Sequence, residues 1–123
     1  MRHLTAEKTC NALRLAMALQ KDQPGTEVLV FLVADAVTAA LPAQGTPQGY
    51  YNIERMVKSV IHKGGKVRLC GACCEARGIK ALSLLDGAEV STMSQLAQWT
   101  VDSKKVLVFQ LFETVALLDE GVK

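Results

Sequence analysis

Three of the chain's four cysteines fall within five positions, Cys70, Cys73 and Cys74, inside the run Val67-Arg68-Leu69-Cys70-Gly71-Ala72-Cys73-Cys74-Glu75-Ala76-Arg77-Gly78. A Cys-x-x-Cys spacing at the start of a helix lets two sulfurs meet across one turn, the arrangement of disulfide-exchanging and sulfur-handling sites. Val67 and Leu69, just after Gly64-Gly65, predict a short buried strand. Gly78 sits where a short following helix would need a left-handed closing residue. Cys70 therefore falls where the strand ends and the helix begins, the edge at which open α/β sheets hold their reactive groups. Helix N–H groups and the positive end of the helix dipole favour a thiolate there.

The functional reading makes Cys70 a nucleophilic or sulfur-carrying residue and Cys73 its assistant, resolving a persulfide or closing a reversible disulfide. Gly71, Ala72 and Arg77 count with them as pocket residues, and Arg77 supplies a cation if the chain folds back. A plainer reading stands beside it: cysteine is also a small buried core residue at strand ends. Cys74, next to Cys73, must point elsewhere and reads as core filler. Zinc is the other use of Cys-x-x-Cys, but it wants four ligands, or three in catalysis. Cys10, His3 and His62 show no ligand spacing, so only a site shared between subunits would complete one. No metal or cofactor is expected.

Composition narrows the classes. The chain has 123 residues, one domain by size, with half of them hydrophobic and only 5% aromatic, so an aliphatic core is expected. A net charge of +2, without basic runs, gives no case for nucleic acid or an anionic membrane. No apolar run approaches the roughly 20 residues of a membrane span, and Met1–Lys8 lacks the apolar stretch of a signal peptide. A cytoplasmic location with reduced cysteines is the default expectation. Gly-x-Gly-x-x-Gly and Walker loops are absent, and no Ser-His-Asp set or carboxylate pair stands out.

The elements that must position the cysteines can be read in order. Leu4 to about Gln20 predicts a helix, with Thr5 as N-cap and Cys10, Leu13 and Met17 on one face. Lys21-Asp22-Gln23-Pro24-Gly25 ends it. Val28–Val33 is a continuous apolar run, the pattern of a strand buried on both faces. Val37 to Gly49 reads as a loop, and Tyr50 to Lys63 as a helix with an Ile53, Met56, Val57, Val60 and Ile61 stripe. After the cysteines come a helix or connector (79–85), a brief strand at Glu89–Ser91, and a helix opened by Thr92-x-x-Gln95. Val106–Phe109 is a last buried strand. Residues 110–123 fit either a helix, with Leu111, Val115 and Leu118 on one face, or a continued strand. Alternating helices and apolar strands argue a layered α/β fold with a mainly parallel sheet. Asp35 and the Thr46–Asn52 loop follow strand ends on the presumed edge of Cys70. There they line the pocket mouth; alternatively Asp35 caps a turn and Tyr50-Tyr51 pack at a subunit contact.

Several pieces together resemble the DsrE/DsrF-like family over roughly residues 7 to 109. They are Asn11-Ala12-Leu13-Arg14-Leu15-Ala16, the strand Val28–Val33 with Ala34-Asp35-Ala36-Val37, and Thr46-Pro47-Gln48-Gly49-Tyr50-Tyr51-Asn52. Cys70-Gly71-Ala72-Cys73 with Ala76-Arg77-Gly78, and Ser91-Thr92-Met93, complete the set. The resemblance implies a three-layer α/β/α, flavodoxin-like domain and homo- or hetero-oligomers, often trimers or hexamers. It also implies sulfur relay through a persulfide on the cysteine at the position of Cys70, with a sulfur donor or acceptor protein as partner. Such proteins normally begin with an apolar strand and a glycine-containing loop, which Met1–Lys8 does not provide. The expected strand order puts that gap mid-sheet, beside the strand carrying the site cysteine. Either the start is truncated or another segment fills the gap, and the tail after Phe109 or a partner chain is the expected substitute. The alternative function is a non-catalytic oligomeric binding or adaptor module with structural cysteines. An oligomer is expected either way, because a small, half-apolar domain short of one strand gains by burying surface against copies of itself.

Overall fold

The computed structural model describes residues 2–42, 52–79, 82–109 and 114–119, with 2–7 and 114–119 as backbone. The elements run α1 (Arg2–Asp22), β1 (Glu27–Leu32), a 3-10 helix (Ala34–Ala40), α2 (Ile53–His62), β2 (Lys66–Cys70) and α3 (Gly71–Ala76). They continue with β3 (Ala88–Ser91), α4 (Met93–Asp102), β4 (Lys105–Phe109) and β5 (Thr114–Asp119). The described strands form one sheet in the order β3-β2-β1-β5-β4. β1 pairs parallel with β2, and β2 with β3. β5 runs antiparallel to both β1 and β4. Four strands thus point one way and β5 opposes them, so the sheet is mainly parallel in direction with one reversed strand, next to the β4 edge.

Alternation along β1 divides the core. Val28, Val30 and Leu32 face one layer with Val67, Leu69, Leu13, Ala16, Val57 and Val60, which places α1, the 3-10 helix and α2 on that side. Leu29 and Phe31 face the other, with Cys70, Trp99 and Leu96, which places α4 there. Trp99 meets the Phe31 ring edge-on, centroids 6.0 Å apart at 88°, a geometry that adds about 0.5–1.5 kcal/mol to the area the rings bury. The result is the three-layer α/β/α, flavodoxin-like architecture, with its heavier helical layer on the α1–α2 side.

Several boundaries move for identifiable reasons. α1 starts at Arg2, so Thr5 lies within the helix and is not its N-cap. Part of the segment expected as loop, from Val37, belongs to a 3-10 helix whose Ala36, Val37, Ala39 and Ala40 are buried. α2 begins at Ile53, the first residue of its apolar stripe and three residues after the expected start at Tyr50, because the Asn52 side chain accepts the Arg55 N–H at 3.0 Å and caps the helix there. The described part of the 79–85 segment, residues 79 and 82–85, is non-helical, and Leu85 N–H donates to Ala40 O at 2.8 Å. Thr92 caps α4 as expected, accepting from Gln95 N–H at 3.2 Å.

The gap expected beside the cysteine strand is not there: β2 is flanked by β1 and β3. The strand supplied by the tail enters one position further along, between β1 and β4. It pairs with β1 from Glu27↔Asp119 to Leu32↔Thr114 and with β4 from Lys105↔Leu118 to Phe109↔Thr114. Both strands that flank it are thereby supplied with backbone partners inside the sheet.

Candidate functional site

β2 ends at Cys70 and α3 begins at the next residue, so one side chain belongs to both elements. Cys70 has extended backbone (φ −63°, ψ 117°), and its Sγ accepts the Cys73 N–H at 3.3 Å, filling the N-cap role that an oxygen usually fills. Gly71 lets α3 approach β3 closely: a Cβ there would stand 3.1 Å from Ser91 O and 3.2 Å from Val90 Cγ1. At the other end the helix closes as the sequence indicates. Gly78 adopts φ +67°; Gly78 N–H donates to Glu75 O and Ile79 N–H to Cys74 O. This is the Schellman pattern, and its apolar contact is supplied by Ile79 and Cys74, both in the main core. A six-residue helix is thus fixed at both ends, and Cys70 is fixed with it.

An open pocket of about 460 Å³ reaches Cys70, lined by Gly71, Ala72, Glu75, Val90, Ser91, Thr92 and Met93. Parallel pairing puts Ser91 directly beside Cys70, so the turn after β3 forms the opposite wall. Cys70 itself is 5% exposed. The thiolate expected at this helix start is not favoured overall. Burial pushes the Cys70 thiol above its ordinary value and the hydrogen bond with the Cys73 thiol adds to that, outweighing the backbone N–H groups of Cys73 and Ala72. Cation help from Arg77 is absent as well. Arg77 is engaged by Asp35, with Nε and Nη2 each 2.8 Å from Oδ1, and by the Cys73 carbonyl, 3.2 Å from Nη1.

The expected site residues therefore divide. Cys70, Gly71 and Ala72 share the pocket, and Cys73 sits behind it, half-buried against both cores. Asp35 and Arg77 meet each other at the same sheet edge but do not line this pocket; their pair ties the 3-10 helix to the end of α3. The 3-10 helix starts with Ala34 at φ +52°, a left-handed conformation that costs a non-glycine residue about 1–2 kcal/mol. Tyr50 and Tyr51, and most of the Thr46–Asn52 loop, lie outside the described residues. Glu75, Val90, Ser91, Thr92 and Met93 also line the pocket, and spacing does not single them out. The signal for them was positional: neighbouring parallel strands end at one edge, so the residues after β3 converge on those after β2.

The remaining cysteines are core residues. Cys74 is fully buried in the main cluster. Cys10 is fully buried too, its Sγ 3.8 Å from Met56 Sδ, and burial raises its thiol as well. Among the described residues no group of three or more His, Cys, Asp or Glu is arranged to hold a metal ion. His62 is exposed at the end of α2.

The DsrE/DsrF-like family model matches residues 3–109. Protein YchN of Escherichia coli is 42% identical over 104 residues, which is 85% of this chain and 88% of that protein. An uncharacterized protein of Methanocaldococcus jannaschii is 35% identical over 103 residues, 84% of this chain and 88% of the relative. The crystal structure of the E. coli YchN protein superposes with a TM-score of 0.77 at 43% identity, covering 80% of this chain and 84% of that one. The chain belongs to the DsrE/DsrF-like family, a family associated with sulfur relay.

Proposed function

We propose that the chain is a sulfur-relay protein that carries a sulfane sulfur as a persulfide on Cys70. The Cys70 thiolate attacks the outer sulfur of a donor persulfide; the donor S–S bond breaks, the donor leaves as a thiolate, and Cys70–S–SH remains. An acceptor thiolate then takes the outer sulfur by the same exchange. The carrying observation is that the cysteine at the end of β2 borders an open pocket of about 460 Å³ while accepting backbone N–H groups. The upward shift of the resting thiol suits a carrier, because it keeps the empty form protonated and less prone to oxidation. The relay would operate in the cytoplasm, where thiols stay reduced. Among the described residues no helix is long and apolar enough to cross a membrane.

Donor and acceptor are thiol-bearing proteins in this reading, and the chain works as a homo-oligomer, a trimer or a hexamer. The apolar surface favours self-association: β4 is an edge strand whose Val106 and Val108 are 38% and 53% exposed, and Val101 on α4 is 80% exposed. A second reading, a non-catalytic adaptor, draws on the same surface and on the raised Cys70 thiol. Intact mass of the Cys73→Ser chain after incubation with a sulfane donor separates the two. A gain of about 32 Da that is lost when Cys70 is also changed to serine supports the carrier, whereas equal modification of all remaining cysteines, or of none, supports the adaptor.

A further inference from the structure

Cys73 has a place in the carrier cycle that sulfur transfer alone does not need. Its backbone N–H holds the Cys70 sulfur at 3.3 Å, so the two residues are joined directly at the start of the helix. The residues stand at N-cap and third helical position of α3. Helix geometry spaces such positions by about 5 Å between Cα atoms, inside the roughly 4.4–6.8 Å that a disulfide spans. The third cysteine is held apart from this pair: Cys74 is fully buried in the core on the α1–α2 side of the sheet. Cys73 is half-buried rather than sealed, and it packs against the Cys70 cluster on the opposite face as well.

We infer that Cys73 is the resolving cysteine of an intramolecular persulfide reduction, so that the chain discharges an undelivered sulfur as sulfide and closes a Cys70–Cys73 disulfide. This rests on the carrier reading of Cys70. The Cys73 thiolate attacks Sγ of the Cys70 persulfide. The Sγ–S bond breaks, a Cys70–Cys73 bond forms, and the outer sulfur leaves with the electron pair as HS⁻. The sulfane sulfur is reduced to sulfide while the two cysteine sulfurs are oxidised to a disulfide, so no other oxidant is required. An external dithiol reductant returns the pair to thiols by ordinary exchange. The pocket bordered by Ser91 and Thr92 gives the departing sulfide a path to water.

The test mixes the full, reduced chain with one equivalent of glutathione persulfide, quenches with an alkylating agent, and reads intact mass, tryptic peptides and free sulfide. Trypsin cuts after Arg68 and Arg77, so all three clustered cysteines fall in the one peptide Leu69–Arg77. Apart from added alkyl groups, the expected wild-type product is about 2 Da lighter than the reduced chain, with Cys70 joined to Cys73 and Cys74 alkylated after denaturation. In Cys73→Ser the product is instead about 32 Da heavier, with the sulfur on Cys70, and about one equivalent less sulfide is released. A wild-type chain that keeps the extra sulfur as stably as Cys73→Ser overturns the resolving role and leaves the carrier standing. Neither a persulfide nor a disulfide in either chain overturns the carrier itself. A disulfide engaging Cys74 also overturns the proposal. Should Cys73→Ser fail to fold by circular dichroism, the wild-type peptide map decides alone.

Discussion

At the residue scale, the behaviour of Cys70 is a contest between burial and hydrogen bonding. Two backbone N–H groups favour the anion, but burial and the neighbouring thiol favour the neutral form and win. Alkylation of Cys70 by iodoacetamide is therefore expected to be slower at neutral pH than that of a free thiol. It should climb without a plateau through the ordinary thiol range near 8.5; a plateau below neutrality would contradict this balance. Stability carries the same sign. A raised thiol pKa in the fold means the unfolded chain ionises first as pH rises. The contribution of the neutral thiol is present below the ordinary thiol pKa and is lost as pH climbs through the folded value. The melting temperature should fall less between about pH 7 and pH 10 in Cys70→Ser than in the wild type. The Asp35–Arg77 pair is partly solvated, so Asp35→Ala should cost only about 0.5–1 kcal/mol, read as a drop of a few degrees. The meeting of Cys70 and Cys73 at the start of α3 is legible from their spacing alone. Arg77's true partner is not, because it lies 42 positions away and meets Arg77 only through the strand order.

The elements explain why the site is rigid. α3 is too short to be stable by itself, and it is fixed by the Cys70 cap, the Gly78 turn and the contact of Gly71 with β3. Gly71→Ala puts a methyl against a carbonyl and a valine at 3.1–3.2 Å and should destabilise by about 1–3 kcal/mol, measured by urea unfolding. Gly87→Ala should cost at least as much, since Gly87 holds φ +92° and its Cβ would lie 2.6 Å from Ile61 Cγ2. An unchanged midpoint would mean that α3 stands further from β3 in the first case, and that the turn before β3 stands further from Ile61 in the second. Apolar runs and turn residues are enough to locate β1 to β4, the helix closed by Gly78 and the Thr92 cap. The 3-10 helix at Ala34–Ala40 left no such trace: four small buried residues in a short span have no 3.6 or 2 periodicity to reveal them.

The whole molecule depends on its tail. β5 is an interior strand that joins edge strand β4 to β1, so a chain ending at Phe109 should lose its cooperative unfolding transition by circular dichroism. An unchanged melting temperature in that truncated chain would show that β5 does not support the fold. Pattern leaves this segment open because Leu111, Val115 and Leu118 suit a helical face, while Thr114 and Val115 are strand formers within an apolar run. Local pattern could not decide between them; a mid-sheet position with backbone groups to satisfy on both sides did. The apolar residues left exposed on β4 and α4 carry the expectation of an assembly larger than one chain, and light scattering showing only monomer across micromolar concentrations would contradict it. Charged replacement of Val106 and Val108 together should shift the assembly toward smaller species while leaving the secondary structure intact.

One mass measurement bears on the central claim most directly. The Cys73→Ser chain, which cannot resolve a persulfide, is loaded with one equivalent of glutathione persulfide and alkylated. The peptide Leu69–Arg77 should then carry one additional sulfur on Cys70, and that sulfur should be absent when Cys70 is also changed to serine. An unmodified peptide, or sulfur spread evenly over the remaining cysteines, would contradict sulfur carriage at the end of β2.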